Sequence, residues 1–137
     1  DEKWISIGDN GPWQCLMAER IRDRMRGLLG RAELEEGTLM LLDPCSSVHT
    51  FGMQFAIDVV FLDKNRCVQK VSRNVRPGRI AFGGVRAKAV LEAQAGWLPK
   101  IYRGEAVQYL AKHPENRSNK SAADERVVVD FEIRSSS

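Results

Sequence analysis

The sequence is poor in the residues that build metal, redox and disulfide chemistry: three cysteines and two histidines in 137 residues. Cys15, Cys45 and Cys67 cannot all pair within one chain, and none belongs to a CxxC motif. A disulfide-dense scaffold and a zinc ribbon are excluded. Reduced thiols favour a cytoplasmic chain over an exported mature form with one disulfide and one thiol. The opening Asp1-Glu2-Lys3-Trp4 has neither an initiator Met nor a signal core, which suits either a trimmed chain or a mature form. Long apolar runs are missing too. Val59-Val60-Phe61-Leu62 and Val127-Val128-Val129 are strand-sized, far below the ~18–20 residues of a transmembrane helix. An excess of one charge is also lacking, since 21 Lys+Arg against 18 Asp+Glu leave a net +3, weak for a dedicated nucleic-acid binder. What is present, 43% hydrophobic and 28% charged residues, describes an ordinary globular chain, and its length suits a single domain over 1–137.

The patterning is mostly that of strands. Trp4 to Ile7 and Trp13 to Met17 flank the turn formers Gly8 to Pro12 and predict a hairpin. Over Glu19–Gly30 the period changes: Ile21, Met25, Leu28 and Leu29 share one helical face, with Arg20, Arg22, Arg24 and Arg26 on its flanks. That predicts one short helix, whose basic flanks would also suit an acidic partner or a membrane surface. Strands follow at Thr38–Leu42, stopped by Asp43-Pro44, at Ile57–Leu62 and at Cys67–Val71, the last two joined by the turn Asp63 to Arg66. Ile80-Ala81-Phe82 is a short apolar piece between Gly/Pro turns. Ala89–Ala93 and Ala106–Leu110 read as strands, with Trp97–Tyr102 as one turn of helix between them. Residues 111–126 are too polar to bury a core and read as a mobile insert, and 127–134 as a C-terminal strand. The expected fold is mainly β, α+β at the margin: a small β sandwich or partly closed barrel with one short helix near the N-terminus.

Several of these pieces, taken in order, carry a resemblance. They are Arg26-Gly27-Leu28-Leu29-Gly30-Arg31, then Gly37 with Leu39 to Leu42, then Cys45 with Ser47-Val48-His49-Thr50-Phe51-Gly52-Met53. Ile57-Asp58-Val59-Val60-Phe61-Leu62-Asp63 and Val90-Leu91-Glu92 with Ala95-Gly96 complete the series. The series resembles the uncharacterised bacterial family called domain of unknown function 192, over about residues 13–110. The resemblance implies a mainly β, sandwich-like fold with a short helix and no known activity, cofactor or partner. Ala56 stands where the family usually has proline, and His49-Thr50-Phe51-Gly52-Met53 replaces the Trp-Met-Lys/Arg-Asn-Thr signature of its broader branch. A ligand of one branch need not suit the other.

The segment 45–55 mixes apolar and polar residues too freely for either a plain loop or a buried strand. Irregular polar stretches between strands are where a rigid scaffold carries function. Cys45, His49, Thr50, Met53 and Asp58 are therefore the candidate binding residues, at the mouth of the β structure. Cys45 and His49 are also the one Cys/His pair close in sequence, a thiolate and its base, with Asp58 to orient the ring. Against this stands the plainer reading of a small buried thiol and a backbone-bonded imidazole. No metal site is expected, because one thiol and one imidazole fall short of a ligand set, and no cofactor is called for.

Asp58 lies in an apolar strand and must be solvated or accept hydrogen bonds, from backbone or from an arginine. Glu92 is expected to pair with an arginine. From Lys64 to Leu91 there is no acid, while Lys64, Arg66, Lys70, Arg73, Arg76, Arg79, Arg86 and Lys88 all lie there. With Phe82 among glycines, this stretch offers a polyanion or nucleic-acid surface. The alternative is a set of solvated faces balanced by acids at 33–36 and 124–132. The leading reading is a non-catalytic accessory domain that binds a small molecule or a protein. A Cys45/His49 enzyme is the second and nucleic-acid binding the third.

Overall fold

The computed structural model describes residues 2–18 and 34–110, and every regular element in them is a strand. The order along the chain is β1 (Glu2–Ile7), β2 (Asn10–Ala18), β3 (Thr38–Leu42), β4 (Ser47–His49), β5 (Ile57–Leu62), β6 (Val68–Val75), β7 (Ile80–Phe82), β8 (Ala89–Gln94) and β9 (Val107–Leu110). Seven of them form one sheet in the order β6-β5-β8-β3-β2-β1-β9, and β4 and β7 form a separate two-stranded sheet. The large sheet curls until its two edges meet. Cys67 bridges Ala106, Val68 N–H donates to Glu105 C=O at 2.8 Å, and Val107 N–H donates to Arg66 C=O at 2.8 Å. The result is a mainly β, half-barrel sheet with a small second sheet beside it.

All ladder pairs are antiparallel except β2–β3, which is parallel, Gln14 facing Thr38 and Ala18 facing Leu42. A parallel pair needs a crossover of about a dozen residues or more. The chain between Ala18 and Thr38 has that length. The helix expected over Glu19–Gly30 lies there, outside the described residues, as do the insert 111–126 and the strand 127–134.

The central strands β3 and β5 are buried along their whole length, and β8 along all but its last residue. Burial on both faces explains their near-continuous apolar runs, since alternation is useful only where one face meets water. Alternation divides the side chains between two cores instead. Leu39, Leu41, Val60, Leu62 and Leu91 point into the barrel interior, to which all seven strands contribute. Met40, Leu42, Val59, Phe61 and Val90 point the other way, into a second core closed by Val48 of β4 and Ala81 of β7.

Local differences from the expectations have simple causes. The first turn is Gly8-Asp9 alone, and β2 absorbs Gly11 and Pro12. Residues 97–102 form no helical turn, because Arg73 reaches across and takes the Leu98 carbonyl at 3.1 Å and the Pro99 carbonyl at 2.5 Å. β6 runs on to Val75 through a bulge between its partners of Ile57 and Val59.

Candidate functional site

The odd segment 45–55 resolves into β4 and the turn that follows it, laid against β7. Their antiparallel register sets Ser47 opposite Phe82, Val48 opposite Ala81 and His49 opposite Ile80. Strand alternation sends Val48 and Ala81 down into the second core and leaves Ser47, His49, Ile80 and Phe82 on the outer face. Phe82 is 63% exposed, Ile80 52% and Phe51 51%. The His49 and Phe51 rings stack, centroids 5.3 Å apart at 24°. Val85, in the turn after β7, is more exposed still. Large apolar side chains outward and the small Ala81 inward make an inverted strand. That inversion is the signal in Ile80-Ala81-Phe82 that marks this face; a reading of the sequence that finds Phe82 misses Phe51, Ile80 and Val85.

Gly83 fixes where β7 ends. A Cβ there would sit 2.3 Å from Phe61 Cδ1 and 2.6 Å from Ala87 Cβ, so only glycine lets the chain lie this close to the second core. The other end of the small sheet is held by Thr50, which is fully buried. Its hydroxyl donates to the Arg76 carbonyl at 2.6 Å and accepts from the Arg79 N–H at 2.9 Å. Its own N–H donates to the Arg79 carbonyl at 2.8 Å, and its carbonyl accepts from Gly78 N–H at 3.1 Å. Thr50 thereby fastens the turn before β7 to the end of β4. Met53 lies beneath, in the second core.

Asp58 stands elsewhere. Alternation puts it on the interior face of β5 with Val60, whereas His49 lies beyond the second core on the opposite side of the large sheet. Opposite Asp58, β6 carries one extra residue: Ile57 pairs with Val75 and Val59 with Ser72. A bulge leaves a backbone donor without a ladder partner. Asp58 supplies it, Oδ1 accepting from Asn74 N–H at 2.8 Å, with Asn74 in the left-handed region at φ 51°. Oδ2 accepts from Arg73 Nη1 at 3.2 Å and from Gly96 N–H at 3.3 Å. The buried carboxylate thus ties together β5, the β6 bulge and the turn after β8.

Cys45 precedes β4, half-buried against the second core, its N–H donating to Lys88 C=O at 2.9 Å and its thiol to Ser47 C=O at 3.0 Å. No disulfide joins the three cysteines. Burial pushes the Cys15 thiol up to about 12, and burial with the Asp63 charge raises that of Cys67. Glu92 of β8 does not sit by an arginine among the described residues. It faces the second core between Met40 and Val59, its ladder neighbours, and burial alone pushes its carboxyl from 4.5 to about 7. Among the described residues, no three His, Cys, Asp or Glu side chains cluster as a metal site would require, and no helix is long and apolar enough to cross a membrane.

The acid-free stretch 64–91 is partly neutralised by Asp43 and Asp58; of the acids expected to balance it, Glu33 and those at 124–132 lie outside the described residues. Arg66 pairs with Asp43 and Arg73 with Asp58. Lys70 donates to the Phe82 carbonyl at 2.7 Å, drawing its charge to the edge of β7. Arg76 and Arg79 on entry to β7, and Arg86 and Lys88 on exit, are exposed and in no ion pair among the described residues.

The family model DUF192, described as "Uncharacterized ACR, COG1430", matches residues 5–109, and the chain belongs to that family. No curated protein matches it. Two solved structures share the fold. One, described as a "putative transcription regulator" from Sinorhizobium meliloti 1021, has a TM-score of 0.72 at 16% identity, covering 80% of this chain and 94% of the other. The second, a protein of unknown function from Novosphingobium aromaticivorans DSM 12444, has a TM-score of 0.67 at 20% identity, covering 78% and 83%. At these identities the likeness is one of fold.

Proposed function

We propose that the chain is a non-catalytic binding module that docks its partner on the outer face of the β4–β7 sheet. The observation that carries this reading is the inverted strand. Ile80 and Phe82 face outward from a ribbon whose inward positions already fill the second core, and Phe51 with His49 extends the apolar surface across β4. Contiguous exposed apolar groups mark an interaction site. His49 thus keeps its place among the binding residues, while Thr50 and Met53 hold the ribbon from below.

The same geometry supports binding over nucleophilic catalysis. A working thiolate needs a base and a group to orient that base. Here the Cys45 thiol donates to a backbone carbonyl, the His49 ring lies on Phe51, and Asp58 is occupied on the other face of the large sheet.

An apolar fluorescent dye that brightens on exposed hydrophobic surface tests the reading. The folded full chain is expected to bind it, and the Ile80→Ser/Phe82→Ser double variant to lose most of the signal. Its unfolding midpoint should stay nearly unchanged, because surface substitutions usually fall within about 0.5 kcal/mol. Absence of dye binding by the folded chain, or full binding by the variant, overturns the proposal.

A further inference from the structure

Resting on that docking face, we infer that its occupant is a single-stranded nucleic acid. The first ground is charge. Of the exposed cations in no ion pair among the described residues, four, Arg76, Arg79, Arg86 and Lys88, lie in the turns entering and leaving β7. The apolar face therefore lies between two basic turns, with Lys70 anchored at its edge. An apolar surface alone suits a protein partner. One framed by cations, in a stretch from 64 to 91 that contains no acid, suits a ligand with both flat apolar groups and a regular negative backbone.

The second ground is the spacing of the rings. The His49–Ile80 and Ser47–Phe82 rungs are two residues apart along the ribbon. Strand geometry makes that about 6.6 Å, roughly twice the 3.4 Å rise per base in a duplex strand. Bases resting on Phe82 and on the stacked His49/Phe51 pair must be unstacked from each other. A single strand permits this and a duplex does not. Recognition by rings on a sheet surface, with basic groups along the backbone, needs no base-specific hydrogen bond and tolerates many sequences.

Fluorescence anisotropy of labelled oligonucleotides of about 12 nucleotides, within the usual span of such surfaces, tests the inference on the full chain. Single-stranded DNA or RNA should bind at about 50 mM salt, and the matching duplex at least about tenfold more weakly. Four phosphate contacts predict a slope of log K against log salt of about −3, from about −0.7 per contact on single strands. Phe82→Ala should weaken binding roughly ten- to a hundredfold with the slope unchanged. Arg79→Gln/Arg86→Gln should flatten the slope by about 1.4. Equal binding of duplex, indifference to Phe82→Ala, or association with acidic phospholipid vesicles and not with oligonucleotides overturns the assignment. Dye binding that depends on Ile80 and Phe82 without oligonucleotide binding retires the nucleic-acid occupant alone. Loss of both retires the docking face.

Discussion

Asp58 and Glu92 are buried carboxylates on the adjacent strands β5 and β8. They lie one ladder rung apart, because Val59 is the register partner of Glu92. They are exposed by 2% and 6%, so burial does not distinguish them. Their faces do. Asp58 looks to the barrel interior at a bulge and gathers two backbone N–H groups and one guanidinium. Glu92 looks to the second core between Met40 and Val59, and its carboxyl is pushed to about 7. A carboxylate withdrawn from water costs free energy in both places, and only donors placed by the fold offset that cost. Asp58 is built into the architecture, and Glu92 is a stored penalty that appears when it ionises.

The largest effect should come from removing the satisfied partner. Asp58→Ala leaves the Asn74 and Gly96 N–H groups without an acceptor and Arg73 without its counter-charge. Each orphaned N–H is expected to cost about 1–3 kcal/mol, while Arg73, 37% exposed, turns to water; the sum is read as a fall in urea stability at neutral pH. A loss under about 1 kcal/mol would mean that water replaces the carboxylate, and the contrast with Glu92 would fail.

Glu92 should behave in the opposite sense. Its carboxyl is raised in the folded chain from 4.5 to about 7, so the folded state holds a proton that the unfolded state has released. The associated stability is fully present below about pH 4.5 and is lost as the pH rises through 7. The wild type should therefore lose about 3 kcal/mol across that window relative to Glu92→Leu, whose profile lacks this component. Above pH 7 the variant should be the more stable of the two. Parallel profiles of the two proteins would show that Glu92 finds a partner when charged.

Thr50 extends the comparison to the small sheet at a smaller scale, since it is uncharged and fully paired. Thr50→Val keeps the shape and deletes the hydroxyl that joins Arg76 to Arg79. It should cost about 1–2 kcal/mol. Hydrogen exchange should show faster opening of the β7 amides than of β5, because the pin acts locally. Equal acceleration in both strands would argue against a local pin.

The strands were legible to the degree that they are buried. Thr38–Leu42, Ile57–Leu62 and Ala89–Ala93 stand out as unbroken apolar runs, because both of their faces meet a core. The need of Asp58 for donors was equally plain, since an acid among valines has few alternatives. Its donors were not, because Asn74 is 16 residues away and Gly96 is 38. The arginine expected beside Glu92 illustrates the reverse error: charge complementarity in sequence carries no information on which face of a strand a residue occupies. The candidate residues around 45–58 were likewise picked as neighbours in the chain. Alternation and the intervening second core separate His49, on the outer face, from Asp58, in the interior.

By itself the sequence determined a mainly β chain with family membership, the central strands, the turns that end them and a stretch from 64 to 91 with no acid. These follow from local properties: apolar runs, proline and glycine positions, and charge order. Only the tertiary structure decided that the large sheet curls until β6 meets β9, that Asp58 answers a bulge, and that Ile80 and Phe82 face outward. Each of these depends on register between segments distant in the chain. A shift of one residue exchanges the two faces of a strand, and composition is blind to that shift.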